Sequence, residues 1–404
     1  MFFLKAAYCR VFQMAFRLAL PLLPYREPEI IAGCAGLGKV FQKEQTRSAL
    51  IVTDRGIASN GLLDPLEKAL GDSGIPYIVY DKTQPNPTVS NVEEALRRYL
   101  QHNCDAIIAI GGGSAMDCAK GVGARAVYPK KPLQRMAGIL RVRRRLPALI
   151  AIPTTAGTGS ETTLAAVITD SRTRQKHVLM SFPLIPRYAV LDASLTYTLP
   201  PQLTATTGMD ALTHAVEAYI GRSTTKETRR LALEAAGLVF ENVRTAYAEG
   251  NNHPARENML HAAYKAGIAF SKSYVGYIHA IAHTLGGRYG TPHGLANAVI
   301  MPYVLEAYGK SAHKKLRRLG LAAGVCAQED TNEAGALKMI RAIRELNAEM
   351  NIPDRLTGIQ QEEIPMLAGR AEKEANPLYP VPKLMTRREL ETFYHRFADW
   401  RQDR

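Results

Sequence analysis

The segment DAIIAIGGGS, residues 105–114, has five apolar residues in a row that run directly into three glycines. A short β-branched run that ends at glycine predicts a buried strand, with a helix beginning near Ala115. Glycines let a backbone approach a pyrophosphate, and the free N–H groups of a helix N-terminus bind anions. The fingerprint G-x-G-x-x-G is incomplete because Met116 takes the place of the last glycine. A plain tight turn between a strand and a helix therefore stays open as an alternative.

Similar apolar runs flank this segment and are separated by stretches with helical spacing. The predicted strands are 49–53, 77–80, 106–110 and 148–152, and the predicted helices between them are 62–70 and 89–100. Near-continuous apolar strands separated by helices predict a parallel sheet covered on both faces. From about residue 203, helical periodicity recurs and strand-like runs are few. We therefore predict a doubly wound, Rossmann-like α/β dinucleotide domain over 25–200 and an all-α domain over 201–404.

A second glycine-rich turn and an acidic residue support a dinucleotide site. The segment IPTTAGTGSE, residues 152–161, follows the last predicted strand with hydroxyls and glycines that suit phosphate or ribose contacts. Asp54 ends the first predicted strand, where an acid can accept the hydroxyls of an adenosine ribose and favour NAD over NADP. The alternative for Asp54 is a turn residue or a residue at a helix N-terminus.

The strongest chemical signal is a pattern of acid and histidine residues. Asp210 and His214 are four residues apart, as are His279 and His283, and His293 follows ten residues later. A spacing of four places two side chains on one face of a helix. Imidazole and carboxylate ligands suit Fe, Zn, Co and Ni, so the pattern predicts a metal site. The spacing alone leaves His283 as a further candidate ligand.

Taken together, these motifs resemble the iron-containing, or group III, alcohol dehydrogenase family. The resemblance runs from about Tyr25 to the end of the chain and is carried by residues 85–88, 111–117, 153–161, 204–215 and 279–294. It implies a dehydroquinate synthase-like architecture with an N-terminal dinucleotide domain and a helical, metal-binding C-terminal domain. It further implies one divalent cation held by four ligands, with His283 near the nicotinamide as a candidate catalytic proton relay. The implied metal ligands are Asp210, His214, His279 and His293.

The resemblance also implies contacts to the cofactor and an activity. The implied cofactor contacts are Asp54, Asn86, Gly113, Ser114, Thr154, Thr155, Thr163, Lys176 and Leu195. The expected cofactors are Fe²⁺, with Zn²⁺ or another divalent transition metal as the alternative, and NAD, with NADP as the alternative. The expected reaction is hydride transfer between NAD and a primary alcohol or small diol, or reduction of the corresponding aldehyde.

Other functions remain open, and one departure from the family concerns the substrate pocket. Within the same fold, the alternatives are a glycerol-type polyol dehydrogenase and a dehydroquinate synthase-like lyase. The alternatives from other classes are a metallohydrolase that needs no dinucleotide and a catalytically silent, membrane-associated protein. Before His279 the family usually has small residues, whereas this chain has Tyr274 and Tyr277. We expect these two rings to narrow the pocket.

Composition limits the partners. The net charge of +14 could attract nucleic acid. However, the basic residues are dispersed along the chain, apart from one run at 141–145 that lacks interleaved aromatic residues. We therefore expect no nucleic-acid partner. The five cysteines have no paired spacing, which argues against a disulfide framework and fits a reducing, cytoplasmic compartment. A homodimer is the expected assembly, because such dimers are the commonest oligomers.

The first 24 residues form a basic, apolar extension that contains no acidic residue. Its apolar stretch is interrupted by Arg10 and Arg17 and lacks a cleavage site, so it is a poor signal peptide. Two interpretations follow. The extension is either a helix packed on the body or on a partner subunit, or a basic amphipathic helix that contacts a membrane surface.

Overall fold

The computed structural model describes residues 2–172 and 175–399, with the side chains of residues 2 and 3 excepted. Contacts divide the chain into two compact units. The α/β unit is Pro24–Thr198, and the helical unit combines Met1–Leu23 with Leu199–Arg404. The contacts thus group the first 23 residues with the helical unit; the predicted domain limits at residues 24 and 200 stay predictions.

The α/β unit contains two sheets. The larger has six parallel strands in the order β1-β9-β6-β4-β2-β3, and the smaller has the order β5-β8-β7. The strands of the α/β unit are β1 Glu29–Ala32, β2 Ala49–Val52, β3 Tyr77–Tyr80, β4 Ala106–Gly111, β5 Gly138–Ile139, β6 Ala148–Pro153, β7 Ala165–Asp170, β8 Gln175–Met180 and β9 Tyr188–Leu191. Its helices are α2 Leu37–Glu44, α3 Arg55–Ser59, α4 Asp64–Asp72, α5 Val89–Gln101 and α6 Gly113–Val127.

The strand β4 shows why the sheet is covered on both faces. Its residues are all buried, and Ile107 and Ala109 belong to one apolar cluster whereas Ala106, Ile108 and Ile110 belong to another. Successive side chains of a strand point to opposite faces, so each face of the sheet has its own core. The predicted doubly wound α/β fold is confirmed, and the four predicted strands correspond to β2, β3, β4 and β6.

The helical unit begins with α1 Phe2–Ala19 and resumes after the α/β unit. Its other helices are α7 Pro201–Ile220, α8 Lys226–Ala248, α9 His253–Ser273, α10 Tyr277–Tyr289, α11 His293–Tyr308, α12 Lys310–Ala322, α13 Asn332–Glu349, α14 Ile364–Ala375 and α15 Arg387–Phe397. Within residues 199–399, strand-like pairing is limited to one isolated bridge between Leu356 and Ala398. The predicted all-helical character of this part of the chain is therefore confirmed.

Helix α1 packs on the helical unit through one side only. Cys9 and Gln13 are buried on that side, whereas Leu4, Val11 and Leu18 on the opposite side are 78%, 61% and 72% exposed. This packing agrees with the first of the two interpretations of the N-terminal extension. The predicted membrane-surface contact of residues 1–24 would use the exposed apolar side and stays a prediction.

No helix among the described residues is both long enough and apolar enough to cross a membrane.

A buried lysine fixes the second glycine-rich turn to α6. The Lys120 ammonium is fully buried and donates to the carbonyl and hydroxyl oxygens of Ser160 and Thr163 and to the carbonyl of Ala165, at 2.7 to 3.1 Å. Burial lowers the pKa of Lys120 to about 8, while the carboxylates of Asp117 and Glu161 act in the opposite direction. Lys120 therefore holds the loop after β6 in one position relative to α6.

We predict that Lys120→Met destabilises the protein by about 3–5 kcal/mol, because buried acceptors and a buried carboxylate lose their cation. Chemical denaturation monitored by circular dichroism measures this change. Lys68→Met removes an exposed lysine that pairs only with Asp72 one turn away and serves as the control. Equal stability of the two variants would contradict the structural role of Lys120.

Candidate functional site

Three helices bring together the predicted metal ligands. Asp210 and His214 lie one turn apart on α7, His279 lies in the first turn of α10, and His293 is the first residue of α11. One ligand atom from each of these four residues lies within 4.8 Å of the other three. The first three are buried and His293 is partly exposed, so the group has one side that can be reached from outside.

The close packing of α11 on α7 depends on Gly294. A Cβ atom at this position would lie 2.3 Å from the backbone oxygen of Thr206, far inside van der Waals contact. Only glycine therefore lets the start of α11 approach α7 closely enough to put His293 next to Asp210. The His293 Nε2 atom is 3.5 Å from the Asp210 Oδ1 atom.

A buried glutamate sets the direction of the His279 ring. The Glu217 carboxylate accepts hydrogen bonds from the backbone N–H groups of Gly276 and Ile278, both at 2.8 Å, and lies 2.6 Å from His279 Nδ1. This arrangement assigns the ring proton to Nδ1 and directs Nε2 toward Asp210. Carboxylate–histidine pairs of this kind orient metal-binding histidines in many proteins.

The electrostatics of the site favour a neutral His279 imidazole. Burial lowers the pKa of His279 well below its ordinary value, and the positive forms of His214 and His293 lower it further. Burial also raises the pKa of Glu217 to about 7, although its hydrogen bonds with Gly276 and Ile278 lower it. A neutral imidazole has a free lone pair, which is the form that binds a metal.

The side chain of Asn297 connects the ligand atoms. Its Nδ2 atom lies 2.7 Å from Asp210 Oδ1, 3.2 Å from His279 Nε2 and 3.1 Å from His293 Nε2. The Asn297 Oδ1 atom is buried without a hydrogen-bond partner. On the other side of the group, the His214 ring stacks on Phe270 at a centroid distance of 4.1 Å.

One carboxylate and three imidazoles that converge in a largely buried setting fit a divalent transition metal. The donor set is carboxylate and imidazole without a thiolate, which fits Fe²⁺ or Zn²⁺. The residues present therefore fit the cation that the sequence predicts.

His283 lies beside this group and is not one of the four convergent residues. Its ring centroid is 5.3 Å from that of His293, and its Nδ1 atom is 2.6 Å from Glu374 Oε1. The Tyr379 hydroxyl donates to the same Glu374 oxygen at 2.9 Å. The hydrogen-bonded carboxylate thus engages the Nδ1 side of His283.

In the α/β unit, Asp54 occupies a helix N-terminus next to the first glycine turn. Its Oδ1 atom accepts from the backbone N–H of Ile57 at 3.1 Å and caps α3, which was the alternative kept open for this residue. Its Oδ2 atom is 3.7 Å from where a Cβ at Gly111 would lie, and Gly111 has a φ of +145°. One carboxylate oxygen therefore caps the helix, and the other faces the turn.

The two glycine-rich turns touch each other. The N–H of Thr154 donates to the backbone oxygen of Gly111 at 3.1 Å. A Cβ at Gly112 would lie 3.6 Å from Thr155 Oγ1, and one at Gly113 would lie 3.2 Å from the Thr158 side chain. The turns after β4 and β6 therefore form one surface, as expected for neighbouring parallel strands.

Three further predicted cofactor residues lie together at this end of the unit. The Ser114 hydroxyl accepts from the backbone N–H of Asn86 at 3.3 Å, and the Lys176 ammonium donates to Asn86 Oδ1 at 3.1 Å. Lys176 thereby brings a positive charge to a loop next to the N-terminus of α6. This combination of a cation, small polar groups and a helix N-terminus suits a phosphate group.

Two predicted cofactor residues and one predicted pocket residue are engaged in other contacts. The Thr163 side chain is bonded to Lys120, and the Leu195 side chain is buried in the apolar core, so only the backbone of Leu195 could meet a ligand. Tyr277 is fully buried, with its hydroxyl bonded to Asn376 and to the N–H of Met385. The expected narrowing of the substrate pocket by Tyr277 therefore has no support in the structure.

Glu217, Asn297 and Glu374 were not singled out from the sequence. Glu217 lies three residues after His214, and Asn297 lies four residues after His293, so helical spacing could have placed both beside the ligands. Glu374 is 91 residues from His283 along the chain, and no local pattern points to it.

Comparisons with known proteins agree with this site. Residues 29–193 match the family described as iron-containing alcohol dehydrogenase, and residues 204–398 match the C-terminal part of the iron-containing alcohol dehydrogenase family. A 1,3-propanediol dehydrogenase from Citrobacter freundii is 39% identical over 334 residues, which covers 82% of this chain and 86% of that protein.

Solved structures share the fold. A crystal structure of a 1,3-propanediol oxidoreductase superposes with a TM-score of 0.88 at 35% identity and covers 92% of this chain and 98% of its own. A sulfoacetaldehyde reductase from Bifidobacterium kashiwanohense, solved in complex with NAD⁺, has a TM-score of 0.82 at 28% identity and covers 93% of this chain and 98% of its own. With the Asp–His group and the two glycine-rich turns in place, these matches show that the chain belongs to the iron-containing alcohol dehydrogenase family.

Proposed function

We propose that this protein transfers a hydride between NAD and a primary alcohol or small diol, and reduces the corresponding aldehyde in reverse. The observation that carries this proposal is the convergence of Asp210, His214, His279 and His293 within 4.8 Å. These four residues would hold Fe²⁺, or Zn²⁺ in its place. A cation bound there supplies Lewis-acid polarisation of an alcohol or carbonyl oxygen, and a bound nicotinamide supplies the hydride acceptor or donor.

The residues of the chain orient these groups and move the proton. Glu217 keeps His279 in the tautomer that directs Nε2 toward the other ligands. His283, which Glu374 orients through Nδ1, would take a proton on Nε2 during alcohol oxidation and return it during aldehyde reduction. The half-exposed His283 ring can exchange that proton with water.

NAD is the cofactor that the α/β unit favours. The surface formed by the turns at Gly111–Gly113 and Thr154–Thr158 suits a pyrophosphate, and Asp54 Oδ2 faces it. A carboxylate at that position accepts ribose hydroxyls and repels a 2′-phosphate. The propanediol-oxidising relatives support a primary alcohol or small diol as substrate class. A homodimer and a cytoplasmic location stay predictions.

A screen of alcohols, diols and glycerol that follows NADH absorbance tests the proposal. The apo-protein would be supplied in turn with Fe²⁺, Zn²⁺, Co²⁺ and Ni²⁺. A thermal shift with NAD separates a dehydrogenase from a metallohydrolase, because only the former binds a dinucleotide. A protein that binds metal, shows no shift with NAD and oxidises none of the alcohols would contradict the proposal.

We predict that Gly294→Ala loses the metal. The added methyl collides with the Thr206 carbonyl and pushes the start of α11 away from α7, which separates His293 from Asp210. Displacing a ligand in this way should weaken metal binding about 10- to 100-fold or more. Inductively coupled plasma mass spectrometry after dialysis measures the retained metal, and His279→Ala should lose metal and activity together.

The matched control is Gly287→Ala on α10, where an added Cβ meets nothing within 4 Å. This variant should retain wild-type metal content and activity. If Gly294→Ala also retained full metal, the packing argument for His293 would be wrong.

We predict that His283→Ala keeps its metal and loses about 100-fold in kcat, since it removes only the proton relay. Metal content and steady-state rates are measured on the same preparation. Loss of the metal in this variant would show that His283 is a ligand and that its assigned role is incorrect.

We predict that Asp54→Asn raises the ratio of kcat/KM for NADP to kcat/KM for NAD about tenfold. A tenfold change in this ratio corresponds to a change of about 1.4 kcal/mol in the free energy that discriminates the two cofactors. Asparagine removes the charge that repels a 2′-phosphate but still caps α3 as well as aspartate does. Initial rates with both cofactors give the ratio. An unchanged ratio, with an unchanged melting temperature, would contradict the proposed ribose contact.

A further inference from the structure

Helix α1 lies outside the residues that match the family, yet its inner side is bonded to one loop of the helical unit. This loop, residues 376–386, connects α14 to α15 and contains three prolines, which have no N–H to donate. Four of its carbonyl oxygens accept hydrogen bonds from two side chains of α1. Gln13 Nε2 donates to Pro377 O at 3.2 Å and Tyr379 O at 2.8 Å, and Arg10 donates to Val381 O at 2.7 Å and Pro382 O at 3.1 Å.

These two donors are themselves held in place. Arg10 also donates to Gln13 Oε1 at 2.8 Å, and the backbone oxygen of Gln13 accepts from the Ser223 hydroxyl at 3.0 Å. Gln13 is 3% exposed. Because a buried carbonyl without a partner costs free energy, these bonds restrict the loop to one conformation.

The loop delivers Tyr379 to the proposed proton relay. The Tyr379 hydroxyl donates to Glu374 Oε1 at 2.9 Å, and the same oxygen lies 2.6 Å from His283 Nδ1. A second path runs through aromatic ring contacts. The Phe16 ring of α1 meets Tyr274 edge-on at a centroid distance of 5.0 Å, and the tilted Tyr274 and Tyr379 rings are 6.3 Å apart. Both paths connect α1 to His283 within one compact unit.

We propose that α1 is a positioning element for His283, in which Arg10 and Gln13 hold loop 376–386 so that Tyr379 and Glu374 fix the imidazole. This inference rests on the proposed role of His283. Loss of the α1 contacts lets Tyr379 move, after which the carboxylate no longer holds one ring orientation and one tautomer. Displacements near 1 Å in a reacting group cost up to about 100-fold in rate, although the group remains present.

The test uses the full-length, metal-loaded protein with the double substitution Arg10→Met and Gln13→Leu. Both replacements keep an unbranched or helix-compatible side chain and remove the hydrogen-bond donors.

Arg17→Met is the control, because Arg17 is an exposed arginine on the same helix and its loss removes the same charge. We expect the double variant to lose at least tenfold in kcat with unchanged KM for NAD and unchanged metal content. Hydrogen exchange in peptides covering residues 374–386 should accelerate, and Arg17→Met should match wild type in all four readouts.

Tyr379→Phe keeps the test decisive if the double variant fails to fold. This substitution removes only the hydroxyl that reaches Glu374, so it should lower kcat by a similar factor without loss of metal. In a folded double variant, adding Tyr379→Phe should cost less than it does in wild type, because both changes act through the same contact.

The inference is overturned if exchange in residues 374–386 accelerates while kcat stays at the level of Arg17→Met, or if kcat falls without a local change in exchange. An inactive wild-type protein would contradict the proposed function alone.

In that case, hydrogen exchange of residues 374–386 and ¹⁵N NMR of the histidine side chains decide the inference, because neither measurement needs turnover. We expect His283 protonated on Nδ1 in wild type and Arg17→Met, and a mixture of tautomers in the double variant; identical spectra would overturn the inference.

Discussion

The hydrogen bond between Glu217 and His279 is the interaction on which the metal group depends. Glu217 also accepts from the backbone N–H groups of Gly276 and Ile278 at the start of α10, so the same carboxylate joins α7 to α10 and orients the ring that faces Asp210. Its burial is unfavourable in isolation, since the pKa of Glu217 is raised to about 7. A cation held by the adjacent residues would offset that cost, because positive charge stabilises a buried carboxylate. The helix packing and the chemistry therefore depend on one another.

A similar dependence exists in the α/β unit. Lys120 holds the loop after β6 by its carbonyl and hydroxyl oxygens, and that loop touches the glycines after β4. The lysine is fully buried, and its bonds to Ser160 and Thr163 fix the far end of the loop that contains Thr154 and Thr155. Its hydrogen bond to Thr163 also explains why that residue, predicted as a cofactor contact, has its side chain turned to the interior.

The parts of the fold that follow from local patterns were predictable from sequence. The strands β2, β4 and β6 are continuous apolar runs, and a spacing of four residues put Asp210 and His214 on one face of α7. The strand β1 was not predicted, because it has only four residues and begins with a glutamate. It lies at the edge of the sheet, and most of its residues are exposed. Glu374 was beyond reach for a different reason. Its contact with His283 depends on how α14 packs on α10, and no periodicity within either segment encodes that packing.

Two histidines on one face of α10 have similar partners and different environments, and this difference suits the different roles proposed for them. His279 and His283 each have Nδ1 at 2.6 Å from a glutamate oxygen. His279 is buried, and its lowered pKa keeps the ring neutral, which suits a metal ligand. His283, in contrast, is half-exposed. Burial raises the pKa of its partner Glu374, but the charge of His283 and its hydrogen bond lower that pKa by more. The net effect is a lowered pKa, so the Glu374 carboxyl stays ionised. A ring that is oriented by a charged carboxylate and open to water suits proton transfer. Because Gln13 of α1 bonds the backbone oxygen of Tyr379 and the Tyr379 hydroxyl bonds Glu374, the N-terminal helix is connected to the second pair, His283 and Glu374.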